Sequence, residues 1–389
     1  MDILERITVN PRLKATLTQQ LAQQFTWLIA SGQLRPGDRL PSVRQLAERL
    51  SISVNTVRGV YQKLEADGLA ETRHGAGTHV LAVDARRLAQ IAAAERSHTV
   101  GVILPSLANP FYHALLQGLE EVAHPDRTML FVSSTHDDPS EAWRHFAQLS
   151  AKQVDGIIVV SHDTSGFLAP STTISDGGSP LLPVITVDWP EAAGYAVMMD
   201  LAGAGYQATR HLLEHGHRHV GLITFGRDSA NVKPINVGYH RALTEAGIEA
   251  DPALIVSVTE FDMAAGAEGA RQLLALAQPP TAIFAIADML ALGAMCAIKA
   301  AGLRIPQDIA LVGFNDISTA GLVDPPLTTV AAPAREMGHA AMKMLQDLIA
   351  SRRPSQRRVV LPISLVVRQS CGTHEPTTSP CDVAAPEDS

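Results

Sequence analysis

The stretch SVNTVRGVYQKLEADGLAETRHGAGTHV, Ser53 to Val80, decides how this chain is read. Ser53 is placed to cap a helix whose apolar side is Val57, Val60, Tyr61 and Leu64, with Asn55, Arg58 and Gln62 on another face. Asp67-Gly68 ends that helix near Ala66. LAETRHGAGTHV then reads as a hairpin: two short strands with Arg73, His74, Gly75, Ala76 and Gly77 at the tip, where glycine allows a sharp turn and a close approach to another surface. Gly75 and Gly77 lack the third glycine and the strand-into-helix setting of a dinucleotide loop.

Working outward, PSVRQLAERL (41–50) has Ser42 as N-cap and Gln45 three residues on, the spacing of a capping box, with Leu46 and Leu50 on its buried side. SIS is a tight connection. Earlier, Leu17, Leu21, Phe25, Leu28 and Ile29 share one face of a helix expected within residues 12–32. Two short helices joined by a few residues make a helix-turn-helix, whose second helix suits the major groove. The hairpin after it is a wing.

The formal net charge of -8 is an average over unlike parts. Residues 1–96 carry 13 Lys/Arg against 9 Asp/Glu, a net of +4, while residues 97–389 carry a net of -12. That asymmetry suggests a polyanion-binding segment joined to a part with another task. Cys296, Cys371 and Cys381 form neither a disulfide framework nor a C-x-x-C pair. MDILERITVNPRLK lacks the features of a signal peptide, and the chain has no apolar run of ~18 residues. A cytoplasmic protein without cofactor or bound metal is expected.

The run from LIASGQLRPGDRLPSVRQLAERL through NTVRGVYQKLEADGLAETRHGAGTHV resembles the winged-helix domain of the GntR family along its full length. The resemblance implies that Arg44, Ser53, Asn55, Thr56 and Arg58 form the DNA-reading set, with Arg73, His74 and Gly75 on the wing. Val54 stands where that family usually has an arginine. It offers a guanine edge no hydrogen bond, although it can pack on a thymine methyl.

Beyond the Ala-rich, charged stretch LAVDARRLAQIAAAERSH, the pattern changes. VGVIL, TMLFV, GIIVV, PVITV, VGLIT, LIVSV, AIFAI and ALVGF are buried-type strands, most of them followed by helix-length amphipathic stretches. Such alternation means parallel sheets with helices on both faces, an α/β class. Its length predicts two doubly wound lobes with a ligand cleft at the carboxyl ends of their strands. The boundaries expected are a winged head at 1–81, a linker at 82–97, a two-lobed effector-binding and dimerisation domain at 98–372, and a disordered tail at 373–389, which is rich in Pro, Thr and acids.

VGVILPSLANPFYHALLQGLEE, QVDGIIVVSHD, VDWPEA, HLLEHGHRHVGLI, GYHRALTEAGI, PPTAIFAIADMLALGAMCAIKAAGLRIPQDIALVGFND and DPPLTTV resemble, in this order, the LacI/GalR effector domain, which shares its fold with periplasmic sugar-binding proteins. A GntR-type head on such a body is the arrangement of arabinose-repressor-like hybrids. The resemblance implies effector contacts at Asn109, Phe111, Tyr112, Asp188, Trp189, Phe261, Asp288 and Asn315. Three departures stand out: Ile235 where the family has a ligand-binding arginine, Ala287 for an asparagine, and Asn315 for a common aspartate. They imply a less polar or differently charged ligand than a common hexose.

Two other signals carry less. His211 and His215 have metal-binding i, i+4 spacing, but Gly216 breaks the helix and no acid sits at a ligand spacing. Ser161, His162 and Asp163 name the members of a hydrolase triad, yet neighbouring residues point apart. The chain therefore reads as a transcriptional regulator, most simply a repressor, binding an operator as a homodimer and answering a sugar-like small molecule. A solute-binding protein shares the body but not the head. An activator or a corepressor-dependent regulator remains open at this level, and an enzyme finds no support.

Overall fold

The computed structural model describes residues 7, 9, 16–30, 33–73, 76–83, 97–136, 138–164, 182–192, 194–226 and 230–372. The expected linker (save 82, 83 and 97) and the expected disordered tail lie outside them. Two units result: unit 1 takes Met1–Leu107, Leu115–Met198 and Arg335–Val359, and unit 2 takes Ala108–Ala114, Met199–Ala334 and Val360–Ser389.

Unit 1 begins with the head: α1 (Leu17–Ala30), α2 (Val43–Leu50), α3 (Val54–Ala66) and the antiparallel hairpin β1 (Ala70–Arg73) and β2 (Gly77–Val80). Leu21, Phe25 and Leu28 of α1, Leu46 of α2 and Val57, Val60 and Leu64 of α3 bury their side chains in one cluster. Leu17 is only half-buried, at the frayed start of the predicted stripe.

The rest of unit 1 is β3 (Thr99–Leu104), α4 (Pro110–Ala123, whose first turn falls in unit 2), β4 (Met129–Ser134), α5 (Pro139–Ala151), β5 (Gly156–Val160), β6 (Val184–Val187), β7 (Tyr195–Met199), then α10 (Ala334–Ile349) and β13 (Arg358–Leu361) late in the chain. Between them, unit 2 holds α6 (Leu201–Glu214), β8 (Val220–Phe225), α7 (Lys233–Glu245), β9 (Ile255–Val258), α8 (Met263–Leu274), β10 (Ala282–Ala285), α9 (Asp288–Ala300), β11 (Ala310–Asn315) and β12 (Thr328–Ala331), and it ends with β14 (Ser364–Val366).

The sheet of unit 1 runs β13-β7-β6-β5-β3-β4 and that of unit 2 runs β14-β12-β11-β10-β8-β9. Within each, the successive strands β3 to β7 and β8 to β12 pair in parallel. In each unit the first strand is flanked by the second and third, the doubly wound arrangement whose ligands bind at carboxyl ends. β3, β5, β6 and β10 are buried at every position, as unbroken apolar runs should be.

TMLFV departs from that pattern. Its composition predicts burial like that of the others, but β4 ends its sheet and exposes Met129, Phe131 and Val132. Sequence composition cannot distinguish an apolar strand covered by its own chain from one left bare. The short strands β7, β12, β13 and β14 have no separate counterpart among the expected strands.

Candidate functional site

In the head, the capping box forms as expected: Gln45 N donates to Ser42 Oγ across 3.2 Å, and Ser42 N donates to Gln45 Oε1 across 3.0 Å. Ser53 Oγ accepts from Thr56 N at 3.0 Å and lies 2.8 Å from Thr56 Oγ1. Ser53 and Thr56 thus fix the start of α3, satisfying a helix-end N–H that has no partner of its own. Arg44, Asn55 and Arg58 are exposed, and Arg58 Nη1 donates to Asn55 Oδ1 at 3.3 Å.

Packing holds α3 still behind that face. The Tyr61 hydroxyl donates to Pro41 O at 2.5 Å, and its ring meets Phe25 edge-on with centroids 5.8 Å apart. Burial pushes the Tyr61 hydroxyl far above the usual phenol range, so it stays a neutral donor.

At the wing, Arg73 is exposed at the end of β1 and donates through Nε to Glu71 Oε1 at 2.6 Å. His74 and Gly75 lie outside the described residues. The structure adds Arg39 and His79, which sequence reasoning missed. Arg39 bridges to His79, and a Cβ on Gly77 (φ +94°) would meet Arg39 Nε at 2.8 Å. The His79 ring nitrogens lie 3.3 Å from Gly37 O and 3.1 Å from Ala76 O. No local pattern reveals that an arginine from the turn before α2 supports a hairpin almost forty residues later.

In unit 1, polar groups collect where the strands end. Ser161 (φ 53°) and Asp188 (φ 55°), following β5 and β6, both adopt the left-handed region. The Ser161 hydroxyl donates to Asp188 Oδ2 at 2.9 Å. Asp188 Oδ1 and Trp189 Nε1 are buried without a hydrogen-bond partner among the described residues. Burial pushes the Asp188 carboxyl up to about 7, opposed by the Ser161 hydrogen bond. His162 instead bonds Thr135 Oγ1 through Nε2 at 2.9 Å, and burial, with His145 nearby, lowers its pKa to about 4. Ser161 and His162 therefore serve different partners, not a relay.

In unit 2, Phe261 is 37% exposed and stacks on Phe225, at the end of β8, with centroids 4.1 Å apart. Phe225 is absent from the expected set. Asn315 closes β11 at φ 113°, a conformation asparagine tolerates better than most residues. Asp288 is fully buried: Oδ1 accepts from Thr329 Oγ1 at 2.6 Å and Oδ2 from Ile317 N at 2.8 Å. Its side chain fastens the turn after β11, a positioning role in place of the expected ligand contact. Asp316 in that turn sits 2.7 Å from Arg368. Ile235 is buried in α7, not presented at the surface.

Asn109, Phe111 and Tyr112 stand at the start of α4. Asn109 Oδ1 accepts from Phe111 N at 3.0 Å, and the two buried rings meet edge-on at 5.2 Å. Here Asn109 starts a helix, and the aromatics are packed. His211 and His215 bring their rings to 4.3 Å, with His215 Nδ1 2.7 Å from His211 O. Among the described residues, no helix is long and apolar enough to cross a membrane.

Two family profiles match the chain: "Bacterial regulatory proteins, gntR family" over residues 17–80 and "Periplasmic binding protein-like domain" over residues 209–371. The HTH-type transcriptional regulator DegA of Bacillus subtilis is 33% identical over 282 residues, covering 71% of this chain and 81% of that protein. The chain belongs to the LacI family of transcriptional regulators. Its head is of the gntR type, so the regulator is a DNA-binding protein with a separate effector-type body. The ribose operon repressor of Haemophilus influenzae is 32% identical, covering 70% of this chain and 80% of that one. A LacI family regulator from Enterococcus faecium, solved with bound ribose, matches with a TM-score of 0.62 at 28% identity, over 70% of this regulator and 98% of that chain.

Proposed function

We propose that this regulator is a repressor that binds a near-palindromic operator as a homodimer in the cytoplasm, and that a neutral sugar or sugar derivative controls its grip. It acts by binding, without a catalytic step. The observation that carries the effector reading is the pair of buried, unpartnered atoms Asp188 Oδ1 and Trp189 Nε1. One accepts and one donates, which suits ligand hydroxyls, and such atoms are costly to leave unpaired. The ribose named in two relatives supports the class. Phe261 on Phe225 offers a flat apolar face for a sugar ring, while Asn109, Phe111, Tyr112, Asp288 and Asn315 shape the surroundings rather than carry the selectivity.

On the DNA side, Arg44, Asn55 and Arg58 read bases, Ser53 and Thr56 hold the helix that presents them, and Arg73, His74 and Gly75 bring the wing to the groove. The bare edge of β4, with Met129, Phe131 and Val132, is the surface a second copy covers. The ligand works through its differential affinity for DNA-competent and DNA-incompetent states. The test is fluorescence anisotropy on the chain's own promoter DNA with and without D-ribose and related pentoses and hexoses. A shift of roughly 5–150-fold in operator affinity is expected for one sugar. Unchanged affinity across the panel overturns the effector assignment, and an absence of salt-dependent DNA binding overturns the head assignment.

A further inference from the structure

Unit 2 has a groove of about 490 Å³ between α6 and α7, away from the carboxyl ends of its strands. The two helices meet closely: a Cβ on Gly205 or Gly238 would overlap the facing backbone oxygen of Ile235 or Ala202. Along the groove, Tyr206 carries the guanidiniums of Arg210 and Arg241 at 5.4 and 4.5 Å from its ring centroid. Each arginine is held by one Nε contact, to Glu214 at 3.1 Å and to Glu245 at 2.8 Å. All four of these ion-pair side chains are about half exposed or more, so the pairs are weak and leave guanidinium donors for a ligand. His211, 8% exposed, lines the same groove, and its Nε2 is buried without a partner among the described residues.

The lining charges balance: Asp200 and Glu214 against Arg210 and Arg241, with Val237 (61% exposed) and Leu365 as apolar wall. A simple anion meets two carboxylates there, and an uncharged polyol leaves both guanidiniums without a charged partner. A small molecule bearing both charges beside an apolar group satisfies every part of the lining. We propose that this groove is a second small-molecule site, and that it takes a free α-amino acid. The ligand's carboxylate faces Arg210 and Arg241, its ammonium faces Asp200 and Glu214, and one of its polar atoms engages His211 Nε2.

The test is isothermal titration of the full chain with each standard L-amino acid singly. At least one is expected to bind saturably, and the Arg210→Gln/Arg241→Gln double variant to bind it at least about ten-fold more weakly, the scale of one lost charge-assisted hydrogen bond. Val237→Trp fills the groove from its exposed rim and is expected to abolish that binding while the thermal midpoint stays near that of the parent protein. Absence of saturable binding by every amino acid overturns the proposal. So does binding that survives unchanged in both variants. Sugar binding by the same protein is measured separately and alters neither result.

Discussion

The Ser161 hydroxyl donates to Asp188 Oδ2 across 2.9 Å, so one oxygen of a buried carboxyl is served and the other is left for something else. With its pKa raised to about 7 from 3.8, Asp188 binds more protons folded than unfolded between those values. Its contribution to stability is therefore fully present below the unfolded value and lost as pH rises toward 7. Asp188→Asn is expected to flatten that loss, by an amount on the order of a few kcal/mol. Urea titrations at a series of pH values check it; parallel curves for the two proteins oppose it.

His162 has the opposite sign. Its pKa is lowered to about 4 from 6.5, so the unfolded chain takes up the proton first and stability falls as pH drops through that window. His162→Gln, which retains a polar group near Thr135, is expected to remove this acid sensitivity. The two residues oppose each other between about 4 and 6.5, so the single variants reveal what the parent protein's profile partly cancels.

Arg58→Ala is expected to weaken operator binding by ~1–3 kcal/mol if the guanidinium meets a base, or to flatten the salt slope by about one if it meets a phosphate. Anisotropy titrations over a range of salt concentrations separate these results. Unaltered affinity and slope remove support for α3 as the reading helix. Ser53→Ala acts differently: it loses a cap worth ~0.5–2 kcal/mol and is expected to show first in thermal unfolding of the head.

Gly77→Ala faces two penalties, a left-handed backbone and the Arg39 side chain behind it. A loss of about 1–2 kcal/mol in head stability is expected, with a weaker grip on DNA. Combining it with Arg39→Ala is expected to recover the steric part only, which a double-mutant cycle in thermal unfolding measures.

Phe131→Glu on the edge of β4 is expected to leave secondary structure intact and shift the protein toward monomer in sedimentation velocity, with a corresponding loss of operator affinity. A dimer that persists places the interface elsewhere.

Legibility in the sequence follows the range of the forces involved. Helices α2 and α3 are readable because caps and apolar periodicity are local: Ser42, Gln45 and Ser53 stand within a turn of the groups they satisfy. The parallel strands are readable because burial on both faces forces unbroken apolar runs. Asp288 is misjudged from sequence because its partners, Thr329 and Ile317, come from positions 41 and 29 residues away. Phe225 and Arg39 escape notice for the same reason: neither carries a local mark of what the fold places beside it. Met129 and Phe131 show the converse, an apolar run whose exposure depends on there being no further strand beside β4 in the sheet.

The apolar cluster of the head draws all its members from Ile7 to Val83, and none from the strands that follow. Each half of the molecule can thus be inherited or exchanged without redesigning the interior of the other. A reader of one lineage and a sensor of another need only agree on the length of chain that joins them, which is how a gntR-type head can come to serve a LacI-type body. The same independence makes the head a cassette for rewiring: a different winged helix grafted before Thr99 should redirect the old signal to a new promoter.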